Sequence, residues 1–269
     1  MSGIWNAGTN LMLYILNFFY GLTHSYGLSI ILLTILVRIL LHPLNHKQLV
    51  SMQKMQKLQP RLKVLQEKYA NDKEQLNKET MQLYKENNVN PAAGCLPLLV
   101  QLPILILLFR VLNNQELLNQ TLQLTQEALS FFSIHLDQSL YGAMGAAFGI
   151  TGDKIGLAQV FNAVSANPGG LLNVGAYLGN LLLVVIIGFL TWFQQQMSAA
   201  SNPSMQFMNW FMPLFLVFIC LSLPGGVLLY WGASSLMGVA QQWRIKMKTT
   251  VEMQEKPALH RERPKRSSD

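Results

Sequence analysis

Gly27–Leu44 reads GLSIILLTILVRILLHPL, an apolar run carrying a single unambiguous charge, Arg38. The hydrocarbon core of a bilayer, about 30 Å thick, takes roughly 20 apolar residues in a helix to cross. Ser25 to Leu44 meets that length, so the run reads as a membrane span. A guanidinium keeps its proton in any protein environment. Holding one on a membrane helix costs between about 2.5 and 17 kcal/mol, depending on depth and on access to water and headgroups. Two readings follow. Arg38 either lies near the cytosolic end and snorkels to headgroups, or faces a wet cavity as a functional charge. This helix alone leaves both open.

Composition places the whole chain in the membrane class. Of its 269 residues 51% are hydrophobic and only 12% charged, against about 25% charged in soluble domains. The 20 Lys and Arg are segregated: nine lie between Lys47 and Lys85, and eight between Arg244 and Arg266. Only Arg38, Arg110 and Lys154 fall elsewhere. The positive-inside rule makes both basic segments cytosolic. The basic tail also suits contact with anionic lipid or ribosomal RNA. Cys95 and Cys220 both fall in apolar runs, which suggests neither a disulfide framework nor a zinc site. No Lys or Arg precedes Arg38, so the start lacks the basic n-region of a signal peptide. An uncharged N-terminal segment is expected to cross the membrane itself.

Taken in order, residues 1–24 form a helix in which Asn6, Asn10 and Asn17 draw one polar stripe and Gly21 interrupts. An amphipathic helix on the outer surface is expected there, with a sixth span as the alternative. Span 1 covers 25–45 and ends at His42-Pro43. Residues 46–90 place Leu49, Met52, Met55, Leu58, Leu62, Leu65 and Tyr69 at helical spacings. The pattern breaks at Asn71-Asp72 and resumes at Leu76. That predicts a cytosolic helical hairpin whose first arm is kinked by Pro60. Span 2 occupies 95–112 and carries Pro97, Gln101 and Pro103, with Arg110 near its outer end. The 113–170 segment holds one lysine and four acidic residues and is assigned outside; its Gly- and Ala-rich later part reads as loosely ordered. Span 3 (171–193), a short cytosolic loop (194–206), span 4 (207–223), span 5 (226–243) and a basic cytosolic tail (244–269) complete the chain. The tail is expected to lose order beyond Pro257. The fold class is an all-α integral membrane protein of five spans, N-terminus outside and C-terminus cytosolic.

Nothing in the sequence reads as catalytic machinery. His24, His42, His46, His135 and His260 are scattered, and the helical pair His42/His46 has no third ligand nearby. There is no phosphate-binding Gly-rich loop and no nucleophile beside a base. No Asp or Glu lies inside any span, although proton- and cation-coupled transporters usually need one. The polar groups that do recur in spans are Thr34 and Arg38, one helical turn apart, then Gln101, Gln194, Tyr230 and Trp231. A lone glutamine serves interhelical hydrogen bonding as readily as function. Tyr230-Trp231 fits an interfacial belt as well as a cavity lining.

The order of features resembles the YidC/Oxa/Alb family of membrane protein insertases. The resemblance rests on the arginine-bearing first span, QKMQKLQPRLKVLQEKY, LYKENNVNPAAGCLPLLVQLPIL, NPSMQFMNWFMPLF and PGGVLLYW, and covers roughly 25–112 and 171–245. It implies a bacterial plasma-membrane protein of the compact five-span form, without the large extracytoplasmic domain of some members. It further implies a hydrophilic groove open to cytosol and lipid, into which Arg38, Thr34 and Trp231 face. Gln101, Gln194 and Tyr230 join them as candidate substrate contacts. The implied clients are nascent membrane proteins, inserted alone or with the Sec translocon, with the ribosome or anionic lipid met by the tail and the bilayer around the spans. No enzyme activity, cofactor or metal is implied. A small channel or transporter and a passive translocon scaffold are the competing functions. Arg110 and the long 137–170 stretch depart from the family pattern and receive no role.

Overall fold

The computed structural model describes residues 2–90, 96–112, 130–150, 155–198 and 206–261. Cys95, residues 113–129 and 151–154 of the outer segment, 199–205 of the short loop and 262–269 of the tail lie outside them. The described chain is almost wholly helical. α1 spans Ser2–Thr23, α2 Tyr26–Leu40, α3 His42–Lys57, α4 Gln59–Lys68, α5 Lys73–Glu86 and α6 Leu96–Leu112. A two-stranded hairpin, β1 Ser130–Phe131 and β2 Ile134–His135, is followed by α7 Leu140–Ala147 and α8 Leu157–Ala166. Two 3₁₀ turns lead into α9 Leu178–Ser198, α10 Gln206–Cys220 and α11 Gly225–Arg261.

The core is where α2, α6, α9 and α11 meet. Ile30 and Leu33 of α2, Leu108 and Leu112 of α6, Ile187 of α9 and Leu228 of α11 are fully buried together. α1 joins this core through Met12, Leu13 and Leu16 while leaving Ile4, Leu11, Tyr14, Phe18 and Leu22 exposed on its opposite side. The expected break at Gly21 is absent. α1 runs on to Thr23, and the chain reverses instead at His24, whose φ is 52°. One glycine late in a helix costs about 1 kcal/mol, less than burying this helix's inner face returns.

The bend that matters lies further on. α2 and α3 meet at 65°, where Pro43 lacks the N–H that would continue the first helix. Beyond it α3 packs against the ends of α6, α9 and α11, and Gln56 Nε2 donates to the Met197 carbonyl at 2.9 Å. α3 therefore belongs with the bundle rather than with a free arm. The paired arms of the hairpin are α4 and α5. The kink expected from Pro60 is a full break at Leu58, with Pro60 in the first turn of α4. α5 starts where Asp72 accepts a hydrogen bond from Gln75 N at 2.9 Å, an N-cap.

The opposite end is closed by tight backbone packing. Asn180, fully buried in the first turn of α9, clamps the outer segment: its Oδ1 accepts from His135 N at 2.8 Å. Its Nδ2 donates to the carbonyls of His135 (3.2 Å) and Gln138 (2.9 Å). Gly225 N and Gly226 N, opening α11, donate to Gln138 O and Leu136 O at 2.9 and 2.8 Å. These approaches need glycine, since a Cβ at Gly179 would overlap the Ser133 carbonyl and one at Gly225 the His135 carbonyl. In the described part of the Gly- and Ala-rich stretch, Gly145 sits against Ile155 and Gly170 against Phe148, whereas Gly149, Gly156 and Gly175 meet nothing within 4 Å and much of 156–175 is exposed. Small residues permit close approach at the first two positions only.

Leu178–Met197 is the one helix, among the described residues, that is by itself long and apolar enough to cross a bilayer, and 28% of its most apolar window is buried. A core helix of a soluble protein would be mostly covered. α2 and α3 pass as a bent pair, while Leu99–Leu112 and Phe211–Cys220 are shorter apolar stretches. The tail, expected to lose order beyond Pro257, is helical to Arg261 as part of α11.

The clamp yields a prediction. Asn180→Ala leaves one backbone N–H and two carbonyls without that partner, at about 1–3 kcal/mol for each that stays buried. The melting temperature of the detergent-purified protein should fall by several degrees; an unchanged melting curve would remove the clamp from the account of stability.

Candidate functional site

Arg38 sits in the last turn of α2, just before the bend, with its side chain directed onto α11. Its Nε donates to Ser234 Oγ at 2.9 Å, and its Nη2 donates to the Ser234 carbonyl. Among the described residues no carboxylate is placed to neutralise it. The sequence has no Asp or Glu before Glu67, none between Glu86 and Glu116, and none between Asp153 and Glu252. The charge is therefore held by dipoles. A buried cation is tolerated when hydrogen-bonded, and here a hydroxyl and a helix carbonyl supply the acceptors.

Around this charge the structure gathers most of the predicted set. Tyr230, 1% exposed and one turn before Ser234 on α11, lies within electrostatic range of the guanidinium. The Gln101 amide of α6 faces the Tyr230 hydroxyl, yet its buried Nε2 stops short of a regular hydrogen bond. Gln194 of α9 donates through Nε2 to the Ser235 carbonyl at 2.7 Å. It converges with Arg38 over Gly238: a Cβ there would lie 2.9 Å from Gln194 Nε2 and 3.3 Å from Arg38 Nη2. Four helices thus contribute to one polar locus inside an apolar bundle.

Two predicted residues stand apart. Thr34 is fully buried, and its hydroxyl donates to the Ile30 carbonyl of its own helix at 2.7 Å. Its polarity is consumed within α2. Trp231 is half-buried and packs against the apolar core, next in sequence to Tyr230 but turned by about 100° on the helix. Arg110 is exposed on α6, and the locus does not include it.

Three participants escaped the sequence reading: Ser234, Ser235 and Gly238. The signal was present, since Tyr230, Ser234, Gly238 and Gln241 recur at three- and four-residue steps on one face of α11. Small residues at such spacing read as helix packing, and the acceptor role of Ser234 shows only once Arg38 is placed opposite. Gln241 Nε2 and Thr191 Oγ1 are also buried without a hydrogen bond within the described chain. They extend the polar faces of α11 and α9.

Comparison with known proteins sets this arrangement in a family. A family model described as 60Kd inner membrane protein matches residues 18–253. The protein named Membrane protein insertase YidC from Maridesulfovibrio salexigens is 33% identical over 229 residues, covering 85% of this chain and 36% of that protein. Its namesake from Syntrophobacter fumaroxidans is 33% identical over 235 residues, covering 86% of this chain and 36% of the relative. The chain thus spans little more than a third of the length of these curated relatives. A crystal structure of an active YidC insertase with its first transmembrane domain resolved superposes with a TM-score of 0.60 at 24% identity, covering 88% of this chain and 45% of that one. That likeness bears on the fold. With a family model matched over most of its length and relatives a third identical across it, the chain belongs to the 60Kd inner membrane protein family, the YidC/Oxa/Alb membrane proteins.

Proposed function

We propose that this chain is a membrane protein insertase and chaperone. It works through a positively charged groove bounded by α2, α6, α9 and α11 and opening toward α3. The observation that carries the reading is Arg38, a permanent cation inside the bundle that is hydrogen-bonded but not charge-paired. A structural arginine would have been given a carboxylate or replaced by an apolar residue, because an uncompensated charge costs several kcal/mol. The relatives are named for the same activity.

In this reading the bundle crosses the bacterial plasma membrane five times, by α2, α6, α9, α10 and the first part of α11, with the N-terminus outside. α3 to α5 and the basic end of α11 are cytosolic, and the β-hairpin with α7 and α8 is extracytoplasmic. The short α6 and α10 suit a locally thinned bilayer. α1 lies along the outer interface, its exposed apolar face toward lipid. A nascent membrane protein carries a polar and often acidic tail that must cross the apolar layer. The groove shortens that layer, and Arg38 draws the tail in. One carboxylate about 4 Å away gains roughly 4 kcal/mol at an effective dielectric constant of 20, against roughly 1 in water. The client's own span then leaves sideways into lipid, driven by its burial. No covalent step is needed. The Sec translocon and the ribosome enter as partners, the latter through the basic tail.

Three outcomes test this. In liposomes holding the purified protein, Arg38→Ala should lose insertion most for single-span clients with acidic translocated tails, while Arg38→Lys keeps the charge and much of the activity. Equal insertion of acidic-tailed clients by Arg38→Ala and wild type would sink the charged groove. In a background with Cys95 and Cys220 replaced, a cysteine at Gln101 should react with a small polar thiol reagent, and one at Thr34 far more slowly. A sealed Gln101 position would rule out a wet groove. Truncation after Met247 should weaken ribosome co-sedimentation, with the largest difference at low salt. Identical binding at every salt concentration would take the tail out of that role.

A further inference from the structure

We propose that Ser234 is a positioning residue that fixes Arg38 on α11, so that the guanidinium meets a client at one fixed depth and only through its outer Nη1/Nη2 end. The proposal rests on the insertase reading and deepens it.

Arginine recognises carboxylates bidentately through two parallel N–H donors. On Arg38 the edge formed by Nε and Nη2 is already taken, because both atoms donate to the same residue, one to its hydroxyl and one to its carbonyl. Ser234 is 3% exposed and sits inside a regular helix, so neither acceptor is free to follow a moving side chain. One turn on, Gly238 leaves the space in which the guanidinium lies. A Cβ at that position would be 3.3 Å from Nη2 and 3.7 Å from Nη1, tighter on the former than ordinary contact. Gln194, tied to the Ser235 carbonyl at 2.7 Å, walls the other side of the same notch. Among the described residues Nη1 donates no hydrogen bond, which leaves that end of the group for a client.

A long side chain on a membrane helix tends to snorkel toward water. The bend immediately after α2 places the headgroup side within a few residues of Arg38. The Ser234 brace opposes that escape. It holds the charge at one depth, and depth sets which part of a translocating tail is attracted. The recognised chemistry is a single carboxylate on an extended polar segment, met end-on. Such a contact tolerates either Asp or Glu but depends strongly on the distance of that residue from the client's span.

A double-mutant cycle with Arg38→Lys isolates the brace from helix packing. Insertion of a single-span client into liposomes is measured for wild type, Ser234→Ala, Ser234→Thr, Arg38→Lys and the Arg38→Lys/Ser234→Ala double variant, each checked for an intact melting transition. Clients carry one acidic residue at successive positions in the tail, or none. Ser234→Ala should cut insertion of the best acidic client about three- to tenfold, the net weight of one ordinary intramolecular hydrogen bond. It should also broaden the preferred position of the acid. Ser234→Thr keeps the hydroxyl and should restore both rate and preference. In the Arg38→Lys background, where the Nε donor is gone, Ser234→Ala should add less than about a twofold loss. An equal loss in both backgrounds would mean that Ser234 serves only α2–α11 packing, and the proposal falls. It falls as well if Ser234→Ala leaves rate and positional preference untouched while Arg38→Ala remains defective. If Arg38→Ala is itself indistinguishable from wild type, the failure belongs to the charged groove and not to the brace.

Discussion

A permanent positive charge in an apolar bundle, with no carboxylate in reach among the described residues, is the constraint to which the rest of this molecule answers. Such a group must be solvated by something. Here it is solvated by α11, whose face opposite α2 is stripped down to Ser234, Ser235 and Gly238. Larger residues at those positions would fill the notch, and apolar ones would remove the acceptor. The apolar neighbours of the site follow from the same need. Ile30 and Leu33 of α2 and Ile187 of α9, all buried in the core, pack the helices closely enough to hold the acceptors in register. Polar locus and apolar core are built by the same helices.

The two ends of the bundle are made differently. At the end marked by the β-hairpin, backbone meets backbone: Gly179 and Gly225 lie against the carbonyls of Ser133 and His135, and the Asn180 amide joins the turn to α9. Every such contact is short and specific, so this end resists relative motion of α9 and α11. At the other end α3 follows the α2–α3 bend and packs against the ends of α6, α9 and α11, with Gln56 donating to the Met197 carbonyl. Polar atoms of Gln48, Gln101, Thr191 and Gln241 lie buried there or above it without a hydrogen bond within the described chain. In the proposed function a polar segment enters where these groups are unsatisfied and is stopped where the backbone is locked.

Much of this was legible in the sequence, for reasons that differ by residue. The apolar helix around Arg38 declares itself by composition, though at 15 residues it is shorter than the expected span, and the bend after it is marked by His42-Pro43. Asn71-Asp72 marks the turn between α4 and α5, because an Asp just before a helix accepts from its first free N–H groups. Arg38, Gln101, Gln194 and Tyr230 stand out as polar residues in apolar runs, and they are brought together. What resisted reading was whatever depends on a partner far away in sequence. Thr34 shares a helical face with Arg38, yet it spends its hydroxyl on Ile30. Ser234 is an unremarkable small residue until a guanidinium 196 positions away is laid against it. The Gly- and Ala-rich outer segment resisted for a related reason. Glycine is ambiguous between freedom and close packing, and only the neighbouring carbonyls and rings decide which it serves.

The notch also explains why arginine suits this position better on structural grounds than lysine, although charge alone would not distinguish them. An ammonium is a compact ion with three donors and strong hydration. It could reach the hydroxyl or the carbonyl of Ser234 but would present no second, fixed donor, and its flexible stem would let it follow the bend toward headgroups. The planar guanidinium offers two donors on one edge at the spacing of a serine hydroxyl and its own carbonyl, which leaves the opposite end unsatisfied. One donor edge of the guanidinium is used here within the protein, and the charge with the Nη1/Nη2 end is what remains for a client. The helix that supplies the acceptors, α11, is the same one whose start is locked to Leu136 and Gln138. The height of the charge in the bundle is thereby referenced to the closed end and not to the end at the α2–α3 bend.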